Sequence, residues 1–202
     1  MFIRCLFSGK GAASDAQIYN ASELKQCVDD GTLNLPDPCP LPNDTQDIPY
    51  FIIGDDAFAL NPSLMKPYGG RGRTAEERIF NYRLSRARRC VENAFGILAN
   101  RFQVLLTTMG HSPSTVRLIV RTCMVLHNLM RIRYPQMQNQ LIQRHGANCA
   151  PAGQWRAERN LEDTIHAVGA NRASRDGKMQ RNLIRHWCNC DAGSVPWQNS
   201  KI

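Results

Sequence analysis

A chain of 202 residues is long enough to bury one core and short enough to be one domain, or one domain with a tail. Its formal net charge of +8 and pI near 9.3 point to a polyanionic partner, and no run approaches the ~20 apolar residues of a membrane span, so no membrane partner is expected. The eight cysteines are scattered at positions 5, 27, 39, 90, 123, 149, 188 and 190, which argues against a disulfide scaffold and for free thiols in a reducing compartment.

Met1–Phe7 is apolar apart from Arg4 and Cys5, too short for a signal-peptide core, and predicts a strand. A chain opening in mid-strand carries the expectation that upstream sequence is missing. Ser8–Ser14 is a small-residue loop that delivers Asp15. Ser22–Asp29 predicts a short helix with Ser22 as N-cap and Leu24 and Val28 facing inward. Four prolines in Leu35–Asp44 predict a stiff extended connector without regular structure. Tyr50–Ile53 is a continuous apolar run, the pattern of a strand buried on both faces in a parallel or mixed sheet covered by helices. It ends in Gly54-Asp55.

Thr74 and Glu77 form a T-x-x-E capping box ahead of a long helix. Phe80, Leu84, Ala87, Val91, Phe95 and Leu98 advance by three or four residues and define one apolar stripe, with Glu92 at its edge. Arg86, Arg88 and Arg89 lie on the other flank, where they could follow a phosphate backbone. Val104–Leu106 is a candidate strand. Ser112-Pro113 is an N-cap followed by proline at the first helical position. The helix it opens continues through Val116–Arg131, burying Val116, Ile119, Val120, Cys123, Leu126, His127 and Met130. His127 in that stripe is better explained as a satisfied core histidine than as a ligand, and Cys90 and Cys123 as small buried hydrophobes. Beyond Pro135 the composition shifts to Gln, Asn, Gly and Ala until Met179–Trp187, which places a domain at 1–135 and a partly helical or disordered tail at 136–202. In that tail His186, Cys188 and Cys190 form H-x-C-x-C, with His145 and Cys149 upstream. The spacing is a poor match to the Cys pairs that hold zinc.

The charge is concentrated. Between Arg71 and Arg133 stand twelve Arg, no Lys and only Glu76, Glu77 and Glu92, a local charge of +9, so the remainder is nearly neutral. One-sided Arg excess across two predicted helices exceeds what solvated helix faces need and indicates a polyanion-binding surface. Against it stand three carboxylates on three kinds of backbone: Asp15 after a loop, Asp55 after a strand, Glu92 on a helix. Hard cations such as Mg²⁺ require carboxylate oxygens and bind phosphate oxygens alongside them. Taken singly, Asp15 would be an ordinary helix-cap or turn residue and Glu92 a solvated helix residue. Asp55, at the end of an apolar strand, is the least ordinary of the three.

The chain resembles the DDE-type endonuclease domain of PIF/Harbinger transposases and their domesticated relatives. The resemblance is carried by Gly11-Ala12-Ala13-Ser14-Asp15, Phe51-Ile52-Ile53-Gly54-Asp55-Asp56-Ala57-Phe58 and Leu64-Met65-Lys66-Pro67-Tyr68. It continues through Glu77–Arg88, Val91-Glu92-Asn93-Ala94-Phe95-Gly96, Arg101-Phe102, Leu126-His127-Asn128 and the tail Gly193–Gln198, so it covers essentially the whole chain. It implies an α/β, ribonuclease H-like fold, a mixed sheet with helices on both faces. It also implies ligation of Mg²⁺ or Mn²⁺ by Asp15, Asp55 and Glu92, with Asp56 at a variable position. Two metals about 3.5–4 Å apart would activate the attacking oxygen and stabilise the leaving one at a DNA phosphodiester.

Two family features have no counterpart here: a further metal-binding Asp on an earlier strand, and a helical DNA-binding domain before it. The expected fold is therefore N-terminally truncated, lacking its first strand. A missing central strand leaves unpaired backbone groups and an open edge. The alternative to a metal-dependent nuclease is thus a catalytically inactive fragment that serves as a DNA- or protein-binding module. DNA is the expected partner, a separate DNA-binding protein a second one, and the nucleus, with the cytoplasm as an alternative, the expected location.

Overall fold

A computed structural model describes residues 14–135 and 173–202. The predicted strand Met1–Phe7 and the residues His145 and Cys149 lie outside the described residues. The chain divides into two compact units, one formed by residues 8–88 with 165–202 and the other by residues 1–7 with 89–164. The described residues combine helices with short strands, an α/β composition, and none of their helices is long and apolar enough to cross a membrane.

In the first unit, α1 (Asp15–Asn20) starts at a capping box. Ser14 Oγ accepts from the Gln17 N–H at 3.3 Å, and Gln17 Oε1 accepts from the Ser14 N–H at 2.9 Å. Next, α2 (Glu23–Asp29) is capped by Ser22 as its sequence predicts, with Leu24 and Val28 half-buried. The proline-rich connector departs from expectation. Cys39–Pro40 (β1) pairs antiparallel with Asp47–Ile48 (β2), because the intervening chain closes a turn in which the Asp44 N–H donates to the Leu41 carbonyl and Asn43 takes a φ of 60°. Proline is tolerated there since a two-residue ladder asks for few N–H donors.

The apolar run Tyr50–Ile53 also differs from its prediction. Only Ile52–Ile53 (β3) is strand, both residues are half-buried, and Tyr50 is exposed. It pairs in parallel with Leu64–Met65 (β4), whose side chains are the buried ones, at 2% and 0% exposure. Leu64 and Met65 were not expected in a strand because two residues give no periodicity to detect.

The long helix α3 (Ala75–Arg101) begins at the predicted box, with Glu77 Oε2 accepting from the Thr74 N–H at 3.0 Å and Thr74 Oγ1 from the Glu77 N–H at 3.2 Å. Its first turns bury Ile79, Phe80 and Leu84 in a core with Ile48, Leu60, Met65 and Tyr68. The remainder of that core comes from α5 (Arg175–Asn189), through Ile184 and Cys188. This helix is tied to residues far earlier in the sequence. The Ser174 N–H donates to the Leu60 carbonyl at 2.9 Å, Tyr68 Oη to Asn182 Oδ1 at 2.6 Å, and Trp187 Nε1 to the Pro42 carbonyl at 3.0 Å. The C-terminal segment that follows is tied back through Arg83, which donates to the carbonyls of Cys188 and Gly193.

The second unit contains the end of α3, a 3₁₀ turn at Gln103–Leu106 and α4 (Pro113–Arg133). Ser112 caps α4 with Pro113 at its start, as predicted. Val104–Leu106 is the turn rather than the expected strand: the Leu105 N–H bonds to the Phe102 carbonyl at 2.9 Å, and the segment ends α3 instead of entering a sheet. Leu98, Cys123 and Met124 form the core, with Phe102, Leu105, Ile119 and Val120 packed on it. The single stripe expected on α3 is therefore split. Phe80 and Leu84 serve one core and Leu98 the other, whereas Ala87, Val91 and Phe95 are exposed. Leu126 and Cys90 are exposed as well, against the expectation of burial.

Candidate functional site

Asp15 is the first residue of α1. Because Ser14 supplies the cap, the Asp15 carboxylate is not consumed in capping; it is exposed at the positive end of the helix. Tyr19, one turn on, packs edge-to-face on Phe58 with ring centroids 5.6 Å apart. That contact ties α1 to the turn that follows β3, where Asp55 lies.

Asp55 is half-buried. Its Oδ1 accepts from the Ala57 N–H at 3.0 Å, an Asx turn that fixes the carboxylate against its own backbone. Its Oδ2 faces Arg88 Nη2 of α3 at 3.8 Å. Asp56 goes elsewhere: its carboxylate pairs with Lys66 at 3.2 Å, and the same ammonium donates to the Asp56 carbonyl at 3.0 Å. Lys66 directly follows β4, so the parallel pairing of β3 with β4 delivers the base that holds Asp56. Neither Lys66 nor its partnership was legible in advance, since the pairing of two two-residue strands is a tertiary fact.

Glu92 is exposed on the second half of α3, in the other unit. It follows Arg88 by four residues and so shares that helix face. Asp15 and Asp55 thus belong to one unit and Glu92 to the other. Among the described residues no group of three His, Cys, Asp or Glu is assembled as a metal would require.

Residues 2–128 match the family described as DDE superfamily endonuclease. The chain belongs to this family. The Harbinger-type kinship expected from its motifs stands. Over 131 residues the DDE domain is 28% identical to a protein described as ALP1-like from Arabidopsis thaliana, a match covering 64% of this chain and 32% of that relative. It therefore spans about a third of that relative's length. No solved structure matches the chain.

The three arginines expected to contact nucleic acid have distinct surroundings in this DDE domain. Arg86 is exposed, with its guanidinium 4.2 Å from the centroid of the Trp197 ring, a cation–π contact that leaves the charge at the surface. Trp197 also meets Tyr82 edge-on at 6.0 Å, which seats the tail segment Gly193–Gln198 against α3. Arg88 pairs with Asp55, and Arg89 is exposed.

His127 is the buried polar residue of the second unit, 2% exposed. Burial first, then the charges of Arg101 and Arg131, lower its pKa to about 4. Arg101 Nη1 lies 3.3 Å from His127 Nδ1, the geometry of a guanidinium donating to a neutral imidazole. It is a core histidine, as its place in the stripe implied.

The donor chemistry suits a hard divalent cation. Carboxylate oxygens are what Mg²⁺ and Mn²⁺ take, and the Asp55–Arg88 contact is long and partly solvated.

Proposed function

We propose that this chain is the divalent-metal-binding nuclease domain of a transposase-derived protein, acting on DNA phosphodiesters. Its membership of the DDE endonucleases over residues 2–128 carries the reading. Asp15 and Asp55 are the proposed ligands from the first unit, and Glu92 is the third by the family resemblance. The bound ion, Mg²⁺ or Mn²⁺, would activate the attacking oxygen and neutralise charge on the leaving one. The Asx turn of Asp55, which orients one oxygen and leaves the other facing the Arg88 guanidinium at 3.8 Å, supports this role. The arginine-rich segment from Arg71 to Arg133 supplies the positive potential that draws the DNA backbone, with Arg86, Arg88 and Arg89 as contacts. A ribonuclease H-like arrangement, a nuclear location and a separate DNA-binding partner belong to the same proposal.

The test is nicking of supercoiled plasmid by the purified chain in Mg²⁺ or Mn²⁺, with a chelator control. Chelator-sensitive nicking that Asp55→Asn abolishes supports the proposal. A second reading is favoured by the lack of an assembled three-acid cluster among the described residues: a catalytically inactive module that binds DNA or protein. It predicts no nicking, together with DNA binding that weakens steeply with salt and ignores chelator.

A further inference from the structure

Helix α4 is apolar on two opposite faces. Cys123 and His127 lie on the face turned to the core of its unit, with Ile119 and Val120 partly buried beside them. On the other face Leu118, Val125, Leu129 and Ile132 are exposed by 64%, 66%, 46% and 67%. At 100° per residue these four, with exposed Thr122 between Leu118 and Val125, fall within one narrow stripe. Their spacing alternates between four and three residues, the pattern of a coiled-coil seam rather than of a helix lying on its own core. Burying an exposed Leu or Ile side chain against a partner is favourable in proportion to the apolar area removed from water. A seam of about four turns left in water is therefore a surface with a use, since isolated apolar residues are ordinary but an aligned stripe of them is not.

Charge decides what covers it. The helix contains Arg117, Arg121, Arg131 and Arg133 and no acidic residue. Arg121 and Arg133 flank the seam on either side, at the positions that set partner choice in paired helices. A second copy of this chain would bring arginines opposite arginines along the seam. A helix with apolar residues at seam spacing and Glu or Asp at the flanking positions would instead meet complementary charge on both sides.

We infer that the outer face of α4 is a docking surface for an acidic amphipathic helix of a partner protein. The surface belongs to residues 113–133 and is independent of the carboxylates proposed for the metal.

The experiment uses the full chain and two synthetic 21-residue helices with Leu at the seam positions, one with Glu and one with Lys at the flanks, followed by fluorescence anisotropy. The Glu peptide should bind at least tenfold more tightly than the Lys peptide at low salt, with the gap narrowing as salt rises. Val125→Glu should weaken the Glu peptide at least tenfold while the far-ultraviolet circular dichroism stays unchanged. Arg121→Glu with Arg133→Glu should shift preference toward the Lys peptide, a readout that loss of folding could not mimic. Equal binding of both peptides, binding of neither, or binding indifferent to these substitutions would overturn the inference. So would a concentration-dependent dimer of the chain that Val125→Glu dissolves, which would assign the face to a second copy.

Discussion

Gly177 of α5 lies against Asn61 so closely that a Cβ at that position would stand 2.7 Å from the Asn61 Cα and 2.9 Å from its carbonyl carbon and amide nitrogen. The neighbour is backbone and cannot swing aside. The contact exists because Asn61 forms the turn before β4, with its Oδ1 accepting from the Ser63 N–H at 2.9 Å. It places the helix start directly over that turn. Gly177→Ala, which improves intrinsic helix propensity by roughly 1 kcal/mol, should nevertheless destabilise the chain by about 1–3 kcal/mol through forced backbone displacement. Urea denaturation of the two proteins checks the sign: a stabilised Gly177→Ala chain would contradict the packing described.

The capping box at the head of α3 gives a second expectation. Thr74→Ala removes the acceptor for the Glu77 N–H and leaves that donor at a helix start with water as its only recourse. A loss of about 1 kcal/mol is expected. Thr74→Ser retains the hydroxyl and should recover most of it in the same denaturation series.

These two sites differ in how far the sequence announces them. Thr74–Glu77 and Ser112–Pro113 are local signals, written within four residues, and the helices start where they say. Tyr50–Ile53 misled because a continuous apolar run does not show which of two neighbouring segments is buried, and the covered residues turned out to be Leu64 and Met65. Packing of α5 over Leu60, Tyr68 and Phe80 depends on contacts more than 90 residues apart in sequence. No local pattern encodes those contacts. Of the candidate site, Asp55 could be picked out because Gly-Asp after an apolar run is a local pattern. Its pairing with Arg88, and the holding of Asp56 by Lys66, are tertiary and were not visible.

His127 provides a pH prediction. Its pKa in the folded chain, about 4, lies below the ordinary value of 6.5, so the folded state favours the neutral ring. Above pH 6.5 the ring is neutral whether the chain is folded or not and contributes no pH dependence. As pH falls below 6.5 the unfolded chain takes up a proton that the folded chain refuses, and stability declines until about pH 4. The loss should amount to about 1–3 kcal/mol. His127→Gln should flatten the stability profile between pH 6.5 and 4, measured by chemical denaturation across that range. An unchanged slope would show that other groups are responsible.

Arg88 separates two roles with one substitution. It stands 3.8 Å from the Asp55 oxygen proposed as a metal ligand, and it is also a proposed DNA contact. Arg88→Ala should therefore tighten Mn²⁺ binding several-fold, measured by calorimetry, because a competing cation is gone. It should also weaken DNA binding across sequences and lower the salt slope by about 1. Weaker metal binding in Arg88→Ala would mean that the arginine organises the carboxylate instead of competing for it.

The most direct measurement of the central claim is the thermal stability of the chain as Mn²⁺ is added, comparing the wild-type protein with Asp55→Asn. Asparagine keeps the side-chain oxygen that accepts from the Ala57 N–H, so the Asx turn survives and only the charge is removed. A ligand bound only by the folded state stabilises it by about 2.7 kcal/mol at one hundred times its dissociation constant. The account predicts a saturable rise in melting temperature for the wild-type chain and none for Asp55→Asn. An equal rise in both proteins, or no rise in either, would contradict it.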